Sequence, residues 1–331
     1  MLRLPTFRYH CPETAAEAVR IVAEYGSRAR FVAGGTDLYP NMKRRHQSAE
    51  EVVSLAHIDE LHGIDGDGID GSLTIGAMTT LREVEQHPTI RAQYPALADA
   101  VALVSSPLLR NMGTIGGNLL LDTRCGYYNQ TEEWRESIDF CMKEQGSICW
   151  VAPSSPRCYA VQSSDTVPLL CAIAAEVTLL SADGERRVEV DKLYRDDGID
   201  YLSKQPGELL THIHLPVLGS WRASYRKLRR RGSIDFPILG VGACVHMDGA
   251  TVSDLRVRIG GVGSMPIVAK ATEDALRGEV PAEDSIRAAA DLAFKPSRTM
   301  DNTDSEVLYR KKMTPVYVRR ALTDCVEILS A

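Results

Sequence analysis

The sequence has 331 residues, more than one hydrophobic core usually serves, and its 44% hydrophobic and 25% charged residues are typical of a globular protein of two or three domains. The net charge of −6 argues against nucleic acid or an anionic membrane as a partner. No apolar run reaches the roughly 18–20 residues of a membrane span, and the first residues lack the apolar core of a signal peptide, so we expect a cytoplasmic protein.

The first third of the chain alternates between helical and β-like patterns, with apolar residues at the spacing of one or the other. The predicted helices are Pro12–Tyr25, Leu81–Gln86 and Pro95–Val104. The predicted strands are Arg30–Ala33, Glu51–Leu55 and Ser72–Ala77. Gly26 is placed to end the first helix, and Thr80 with Glu83 forms a capping box for the second. A glycine-rich turn follows at Gly113–Asn118.

The second half begins with strands and ends with helices, a pattern that indicates a separate α+β domain at the C-terminal end. The predicted strands are Glu176–Leu180, Arg187–Val190, Glu208–Leu215, Ser224–Arg230, Leu239–Met247 and Thr251–Ile259. The predicted helices are Thr272–Arg277, Ala282–Phe294 and Ser305–Leu329. The pairs Asp183-Gly184 and Asp248-Gly249 predict hairpin turns between neighbouring strands.

Between these halves, residues 125–165 show no sustained period, and four of the eight cysteines fall there with the spacing C-x15-C-x7-C-x8-C. They are Cys125, Cys141, Cys149 and Cys158. A loop of this length inside a compact domain needs something to order it. A reducing compartment disfavours disulfides, and structural zinc usually uses shorter C-x2-4-C spacings. Spacing alone favours an iron–sulfur cluster, while zinc and four unrelated thiols remain open.

The other four cysteines lie in apolar or terminal contexts, where we expect buried, inert thiols. They are Cys11, Cys171, Cys244 and Cys325. A basic run, Arg226–Arg231, stands out from the acidic background. A solvated strand or a flavin-side role is the favoured interpretation of the run, and a docking face for an acidic ferredoxin is the alternative.

Two glycine motifs follow apolar runs in the first half, at Ala33–Asp37 and at Thr114–Asn118. Paired glycines permit positive φ and let backbone amides approach phosphate oxygens. Neither motif is a GxGxxG or a Walker A sequence, so a tight turn is the competing interpretation of each.

Together these residues resemble the FAD-binding medium subunits of the xanthine oxidase (molybdenum hydroxylase) family. The two FAD motifs of that family match the residues Phe31, Val32, Ala33, Gly34, Gly35, Thr36, Asp37 and Leu38, then Thr114, Ile115, Gly116, Gly117 and Asn118. The resemblance implies that backbone amides of both motifs bind the FAD diphosphate. It also implies that Asp165 contacts the flavin-ribityl region and that Lys227 lies near the isoalloxazine. Leu209 would belong to a strand beside the cofactor. No catalytic residue is expected on this chain.

The resemblance further implies an α+β fold of two domains. Residues 1–218 would form a two-subdomain FAD-binding domain of the PCMH (vanillyl-alcohol-oxidase-like) type, with a [4Fe–4S] insertion at about 122–162. Residues 219–331 would form an α+β C-terminal domain like that of CO dehydrogenase flavoproteins.

The cysteine insertion restricts the resemblance to a smaller group of these subunits. In most of them the chain runs directly from the second FAD motif to the aspartate that corresponds to Asp165. The opening Arg124–Gln130 and the segment Ile234–Pro237 resemble the β subunits of 4-hydroxybenzoyl-CoA reductases. That resemblance implies a [4Fe–4S] cluster on the four cysteines, an (αβγ)2 assembly and ferredoxin as the electron donor. The partners would be a large subunit with a molybdenum cofactor and a small subunit with two [2Fe–2S] clusters.

Two alternatives remain open. A flavoprotein subunit of a molybdenum hydroxylase that oxidises another aromatic or heterocyclic substrate would carry the same FAD motifs. A zinc-stabilised scaffold without flavin would carry only the cysteines.

Overall fold

The computed structural model describes residues 2–66 and 71–330, with side chains up to residue 327. Its strands and helices are numbered here in chain order. The strands are β1 (Arg8–His10), β2 (Ala29–Val32), β3 (Glu51–Ser54), β4 (Ile64–Asp65), β5 (Leu73–Gly76), β6 (Glu176–Ser181), β7 (Gly184–Glu189), β8 (Leu209–Leu215), β9 (Arg222–Leu228), β10 (Leu239–Asp248), β11 (Thr251–Gly260) and β12 (Ile267–Val268). The helices are α1 (Ala15–Tyr25), α2 (Leu38–Lys43), α3 (Leu81–Gln86), α4 (Pro88–Gln93), α5 (Pro95–Ala102), α6 (Pro107–Arg110), α7 (Ile115–Leu119), α8 (Glu132–Ser137), α9 (Val167–Ala172), α10 (Lys270–Leu276), α11 (Glu283–Asp291) and α12 (Val307–Ser330). Short 3₁₀ turns occupy Gly26–Arg28, Asp59–Leu61, Val190–Lys192 and Leu292–Phe294.

The N-terminal part is built on a parallel sheet of three strands in the order β1-β3-β2. Helix α1 packs on this sheet through an apolar stripe. The buried residues of the stripe are Ala15, Ala18, Val19 and Val22. The Thr14 hydroxyl accepts a hydrogen bond from the Glu17 amide at 3.2 Å, so the helix begins at Ala15, three residues later than predicted. It ends at Gly26, whose φ is 58°, as predicted.

A second, antiparallel sheet has five strands in the order β4-β5-β8-β6-β7. The predicted hairpin between β6 and β7 is present, but its turn residues are Ala182 and Asp183, and Gly184, with a φ of 128°, begins β7. Helices α3, α5, α7 and α9 contribute to one hydrophobic core with this sheet. The predicted capping box of Thr80 and Glu83 at the start of α3 is confirmed.

The C-terminal part is an antiparallel sheet in the order β12-β11-β10-β9, which confirms the predicted run of three consecutive strands. Helices α10, α11 and α12 complete its core. Helix α12 spans 24 residues, yet no helix among the described residues is both long and apolar enough to cross a bilayer. Gly242 of β10 lets α9 of the other half approach closely, since a Cβ there would lie 2.4 Å from the Pro168 carbonyl oxygen.

Several short elements were not predicted, among them α2, α4, α6, α8, α9, β1 and β4. The five helices have six residues or fewer and lack the capping box that marks the equally short α3, and the two strands have only three and two residues. The segment Gly113–Asn118, predicted as a turn, contains helix α7 because the Thr114 side chain caps a helix there.

The cysteine segment is a long loop whose two ends meet. The Arg124 and Val161 backbones exchange hydrogen bonds of 2.8 and 2.7 Å, which close the base of the loop. Helix α8 is a regular element inside it. All four cysteines of the predicted cluster therefore lie in one loop that is closed at its base.

Candidate functional site

A cavity of about 620 Å³ lies where the two glycine motifs meet, between the two sheets of the N-terminal half. A cavity of this size suits a cofactor. The predicted cofactor residues found in its wall are Phe31, Val32, Ala33, Gly34, Gly35, Thr36, Asp37, Leu38, Thr114, Gly116, Gly117, Asn118 and Leu209. Ile115, Asp165 and Lys227 lie outside that wall, and the Ile115 side chain is fully buried in the core.

The first glycine motif is the turn from β2 to α2, and its backbone amides are open. Within the described part of the chain, the five consecutive amides of Gly34–Leu38 donate no hydrogen bond. Gly35 has a φ of 69°, and a Cβ on Gly34 would lie 1.7 Å from the Met112 carbonyl oxygen. Successive free amides at a cavity wall form a concavity that binds anions. The geometry supports a diphosphate here.

The second motif differs, because its amides already have partners. The N–H groups of Ile115–Asn118 all donate within the chain. Their acceptors are the carbonyl oxygens of Thr79, Ala77 and Thr114 and the Thr114 hydroxyl. Gly116 packs so tightly that a Cβ would lie 2.7 Å from the Ala77 Cβ. The resemblance implies that backbone amides of both motifs bind the FAD diphosphate. The structure supports this role better at the first motif than at the second.

Asn118 presents a polar group to the cavity from the second motif. The hydroxyls of Ser164 and Thr166 donate to its Oδ1 at 2.6 and 2.7 Å. These bonds fix the amide so that Nδ2 is the atom free to donate to a ligand. Sequence reasoning missed Ser164 and Thr166, although both flank the predicted Asp165.

Asp165 and Lys227 form a buried ion pair beyond the cavity wall, with Nζ 2.9 Å from Oδ2. The Tyr225 hydroxyl donates to the other carboxylate oxygen at 2.9 Å. Lys227 also donates to the carbonyl oxygens of Leu103 and Asp235, at 2.9 and 2.7 Å. Burial raises the pKa of Asp165 to about 6 against the effect of the ammonium, and burial lowers the pKa of Lys227. The direct flavin contacts of this pair stay predictions.

The four cysteines of the loop are buried and form no disulfide. Cys125, Cys141 and Cys158 share a small hydrophobic cluster with Tyr128. The Cys149 thiol lies near enough to interact electrostatically with each of the other three.

Burial disfavours the thiolate form of three of these cysteines. It raises the pKa of Cys125 to about 11 and that of Cys158 to about 12, and it raises the pKa of Cys141. The Cys125 and Cys158 thiols are therefore protonated near neutral pH, and a metal that binds them must displace protons. In residues 2–66 and 71–330, no three His, Cys, Asp or Glu side chains are grouped so as to hold a single metal ion.

Of the other cysteines, Cys171, Cys244 and Cys325 are buried as predicted. The prediction for Cys11 is wrong: its thiol is exposed, because it precedes the N-cap of α1 at the surface.

Asn302, a residue of the C-terminal part, clamps both ends of the cysteine loop. Its carbonyl oxygen accepts from the Gly126 amide at 2.8 Å, and its Nδ2 donates to the Tyr159 carbonyl oxygen at 2.8 Å. The buried guanidinium of Arg310 donates to its Oδ1 at 3.1 Å. No sequence signal marks Asn302, since Gly126 and Tyr159, its partners in the loop, lie far away along the chain.

Gly198 supports the last cysteine. A Cβ there would lie 2.8 Å from the Cys158 sulfur, and its amide donates to the Cys158 carbonyl oxygen at 3.0 Å. The Lys143 ammonium donates to the Gly198 carbonyl oxygen at 2.7 Å and to Asp122 at 2.8 Å. Gly198 and Asp122, which lie outside the cysteine loop, thus contact residues of the loop and hold it in place.

The cysteine loop and the cavity share a boundary. Arg124 pairs with Asp37 of the first motif, and its guanidinium lies 5.2 Å from the ring centre of Phe236, which is in the cavity wall. His46 of the same wall accepts a hydrogen bond at its carbonyl oxygen from the Tyr128 hydroxyl at 2.8 Å. Among the described residues, Arg124 Nε and His46 Nδ1 are buried without a partner. Such orphaned polar atoms are typical of a site that binds a further group.

Comparison with known proteins gives matches along nearly the whole chain. The model of the FAD binding domain in molybdopterin dehydrogenase matches residues 5–218, and that of the CO dehydrogenase flavoprotein C-terminal domain matches residues 223–325. These matches, with the mixed sheets and helices above, confirm the predicted fold class at the level of those two domains.

Curated relatives are similar over their full length. The carbon monoxide dehydrogenase medium chain of Hydrogenophaga pseudoflava is 27% identical, covering 96% of both chains. The aldehyde oxidoreductase FAD-binding subunit PaoB of Escherichia coli is 29% identical, covering 95% of this chain and 98% of its own. The solved carbon monoxide dehydrogenase of H. pseudoflava, which lacks the Mo-pyranopterin moiety, superposes with a TM-score of 0.81 at 27% identity, over 98% of this chain and 99% of the other.

Proposed function

Since this chain belongs to the FAD-binding medium subunits of the molybdenum hydroxylase family, we propose that it is the electron-entry subunit of a 4-hydroxybenzoyl-CoA reductase. In this proposal the chain relays electrons from a ferredoxin to its partner subunits in the cytoplasm. The large partner carries the molybdenum cofactor and the substrate site, and the small partner carries two [2Fe–2S] clusters, in an (αβγ)2 assembly. The reaction is the reductive removal of a phenolic hydroxyl to give benzoyl-CoA.

One observation carries the proposal: four buried thiols lie in a loop whose base is joined to the flavin cavity. The residue that precedes Cys125 is Arg124, and Arg124 pairs with Asp37 of the first FAD motif. A thiol cluster with a structural role alone needs no such connection to a cofactor cavity.

The cavity residues suit FAD. The open amides of Gly34–Leu38 would bind the diphosphate, and Asn118 Nδ2 would donate to the cofactor. Phe236 from the C-terminal part would cover the cavity on the side of the cysteine loop. When bound, FAD supplies the exchange of electrons singly or in pairs.

The thiols suit a [4Fe–4S] cluster better than a single zinc ion. Zinc at about 2.3 Å from each sulfur would bring the sulfurs to about 3.8 Å from one another, whereas a four-iron cluster separates its thiolates more widely. Among the described residues, no three His, Cys, Asp or Glu side chains are grouped closely enough to hold a single metal ion, which argues against zinc. Cys125, Cys141, Cys149 and Cys158 would hold the cluster, which supplies one-electron transfer at low potential.

A second candidate function needs its own test, because the relatives include the nicotinate dehydrogenase FAD-subunit of Eubacterium barkeri, 25% identical over 98% of this chain. The chain would then serve a molybdenum hydroxylase that oxidises another aromatic or heterocyclic substrate. Turnover of the assembled complex separates the two: reduced ferredoxin with 4-hydroxybenzoyl-CoA yields benzoyl-CoA only under the first proposal.

The cluster is tested by anaerobic purification followed by quantification of iron, acid-labile sulfide, zinc and FAD. In the assembled complex we expect about eight iron atoms and one FAD for each copy of this chain, four from the cluster on its cysteines and four from the two [2Fe–2S] clusters of the small partner. Cys141→Ser should remove the iron atoms of this chain and largely spare FAD, while the exposed Cys11→Ser, the matched control, should change neither. Zinc in place of the iron of this chain, or an iron content that Cys141→Ser leaves unchanged, would refute the assignment.

A further inference from the structure

We propose that Lys43, Arg44 and Arg45 form the docking surface for the external electron donor, a small acidic iron–sulfur protein. This inference rests on the proposed function, since it needs a cluster on the four cysteines to receive the electron. We call these three residues the basic turn.

The basic turn presents three consecutive, exposed, positively charged side chains. It ends helix α2, all three residues are exposed, and Arg45 has a φ of 63° that turns the chain sharply. Within the described part of the chain, none of the three side chains forms an ion pair. On a chain of net charge −6, this group of cations without ion-pair partners suits an acidic partner.

The basic turn lies directly against the cysteine loop. Arg135 of α8, itself buried, donates to the Arg44 carbonyl oxygen at 3.2 Å. One residue beyond the basic turn, the His46 carbonyl oxygen accepts a hydrogen bond from the Tyr128 hydroxyl, and the Tyr128 ring belongs to the hydrophobic cluster of the cysteines. A partner bound at the basic turn would therefore stand beside the cluster, where a short distance favours electron transfer.

The other basic segment, Arg226–Arg231, is much less available. Arg226 pairs with Asp324, Arg230 with Asp304 at 3.0 Å, and Arg231 with Asp235. Lys227 is buried in the ion pair with Asp165. Most of the charge of this run is neutralised within the chain, so it makes a matched control for the basic turn.

Helix α8 borders the basic turn with the opposite charge, since Glu132, Glu133 and Glu136 are exposed. Like charges across an interface suppress wrong orientations. An acidic donor would be held at the basic turn and repelled from α8, which orients it. On transfer, the donor's cluster loses one electron and the cluster on the four cysteines gains it, and no bond breaks.

The test measures binding of an oxidised bacterial ferredoxin with two [4Fe–4S] clusters to the assembled complex, at low and at physiological salt. The triple variant K43Q/R44Q/R45Q should raise the Kd about tenfold at low salt and flatten its salt dependence. Reduction by dithionite, a small donor that needs no docking surface, should keep its rate, and iron and FAD contents should stay unchanged.

Two further variants test whether the effect is specific to the basic turn or follows from any change in charge. The triple variant R229Q/R230Q/R231Q, which removes the same number of charges, should change the Kd less than twofold. The double variant E132Q/E133Q should lower the Kd. An unchanged Kd in K43Q/R44Q/R45Q, or an equal loss in the control triple, would overturn the docking surface while the iron content still supports the cluster. A wild-type complex whose iron is accounted for by the small partner's two [2Fe–2S] clusters alone would instead refute the proposed function.

Discussion

Arg124 and Asp37 form an ion pair that joins the base of the cysteine loop to the first glycine motif. The Arg124 side chain is 11% exposed and that of Asp37 is 34% exposed, so the pair lies at the edge of the cavity. Asp37 lies among the open amides of its motif, where an unpaired carboxylate would repel a diphosphate. Arg124 thus neutralises Asp37 and orders the loop at the same time.

Arg124→Met should weaken FAD binding about tenfold, which corresponds to about 1.4 kcal/mol. The reason is that Asp37 would face the diphosphate without its counter-charge. Fluorescence titration of the flavin-free protein with FAD measures the Kd. The double variant D37N/R124M removes both charges and should regain most of the affinity, and two additive losses would contradict the ion-pair explanation.

Gly34→Ala should abolish FAD binding and lower the melting temperature. A Cβ at this position would lie 1.7 Å from the Met112 carbonyl oxygen, so the two glycine motifs must move apart. Gly232→Ala is the matched control, since no atom lies within 4 Å of a Cβ there. Bound flavin and thermal unfolding measure both variants, and a flavin-replete Gly34→Ala protein would exclude the close approach of the motifs.

Asn302→Ala should loosen the cysteine loop. It removes the donor to the Tyr159 carbonyl oxygen and one acceptor of the buried Arg310 guanidinium, a loss of about 1–3 kcal/mol in the free energy of unfolding. Iron should also be lost to a chelator several-fold faster. Denaturant unfolding and iron release measure the two effects. Asn129→Ala, at an exposed residue of the loop, should leave both near wild type.

His214 should make the free energy of unfolding depend on pH. Burial, with Arg187 and His212 nearby, lowers the pKa of His214 to about 4, and both ring nitrogens have partners, among them Thr74 and Thr178. Between about pH 4 and 6.5 the unfolded chain binds more protons than the folded one, so stability falls as the pH falls through this window.

His214→Gln should remove this dependence, which we put at about 1 kcal/mol because the half-exposed ring is screened by solvent. Urea unfolding at pH 7.5 and at pH 5 measures the difference. His57→Gln, at an exposed ring, should keep the wild-type profile. Equal pH profiles in wild type and His214→Gln would show that the ring does not contribute.

Local signals predicted the elements that depend on neighbouring residues. The capping box of Thr80 and Glu83 and the hairpin at Gly184 were confirmed because a few adjacent residues decide each of them. The short helices α2 and α9 escaped prediction, since neither begins with the side-chain cap that marks the equally short α3. Their positions depend on packing instead. For example, α9 can pack closely on β10 because Gly242 has no side chain.

The sequence by itself determined the chemistry that the chain brings: two glycine motifs, four clustered cysteines and the family resemblance that joins them. Only the tertiary structure decided how these are used. It left the amides of the first motif open and engaged those of the second, placed Lys227 in a buried ion pair, and recruited Asn302 to the cysteine loop. The physical reason is that hydrogen-bond partners and burial depend on residues far apart in the chain, which no local pattern records.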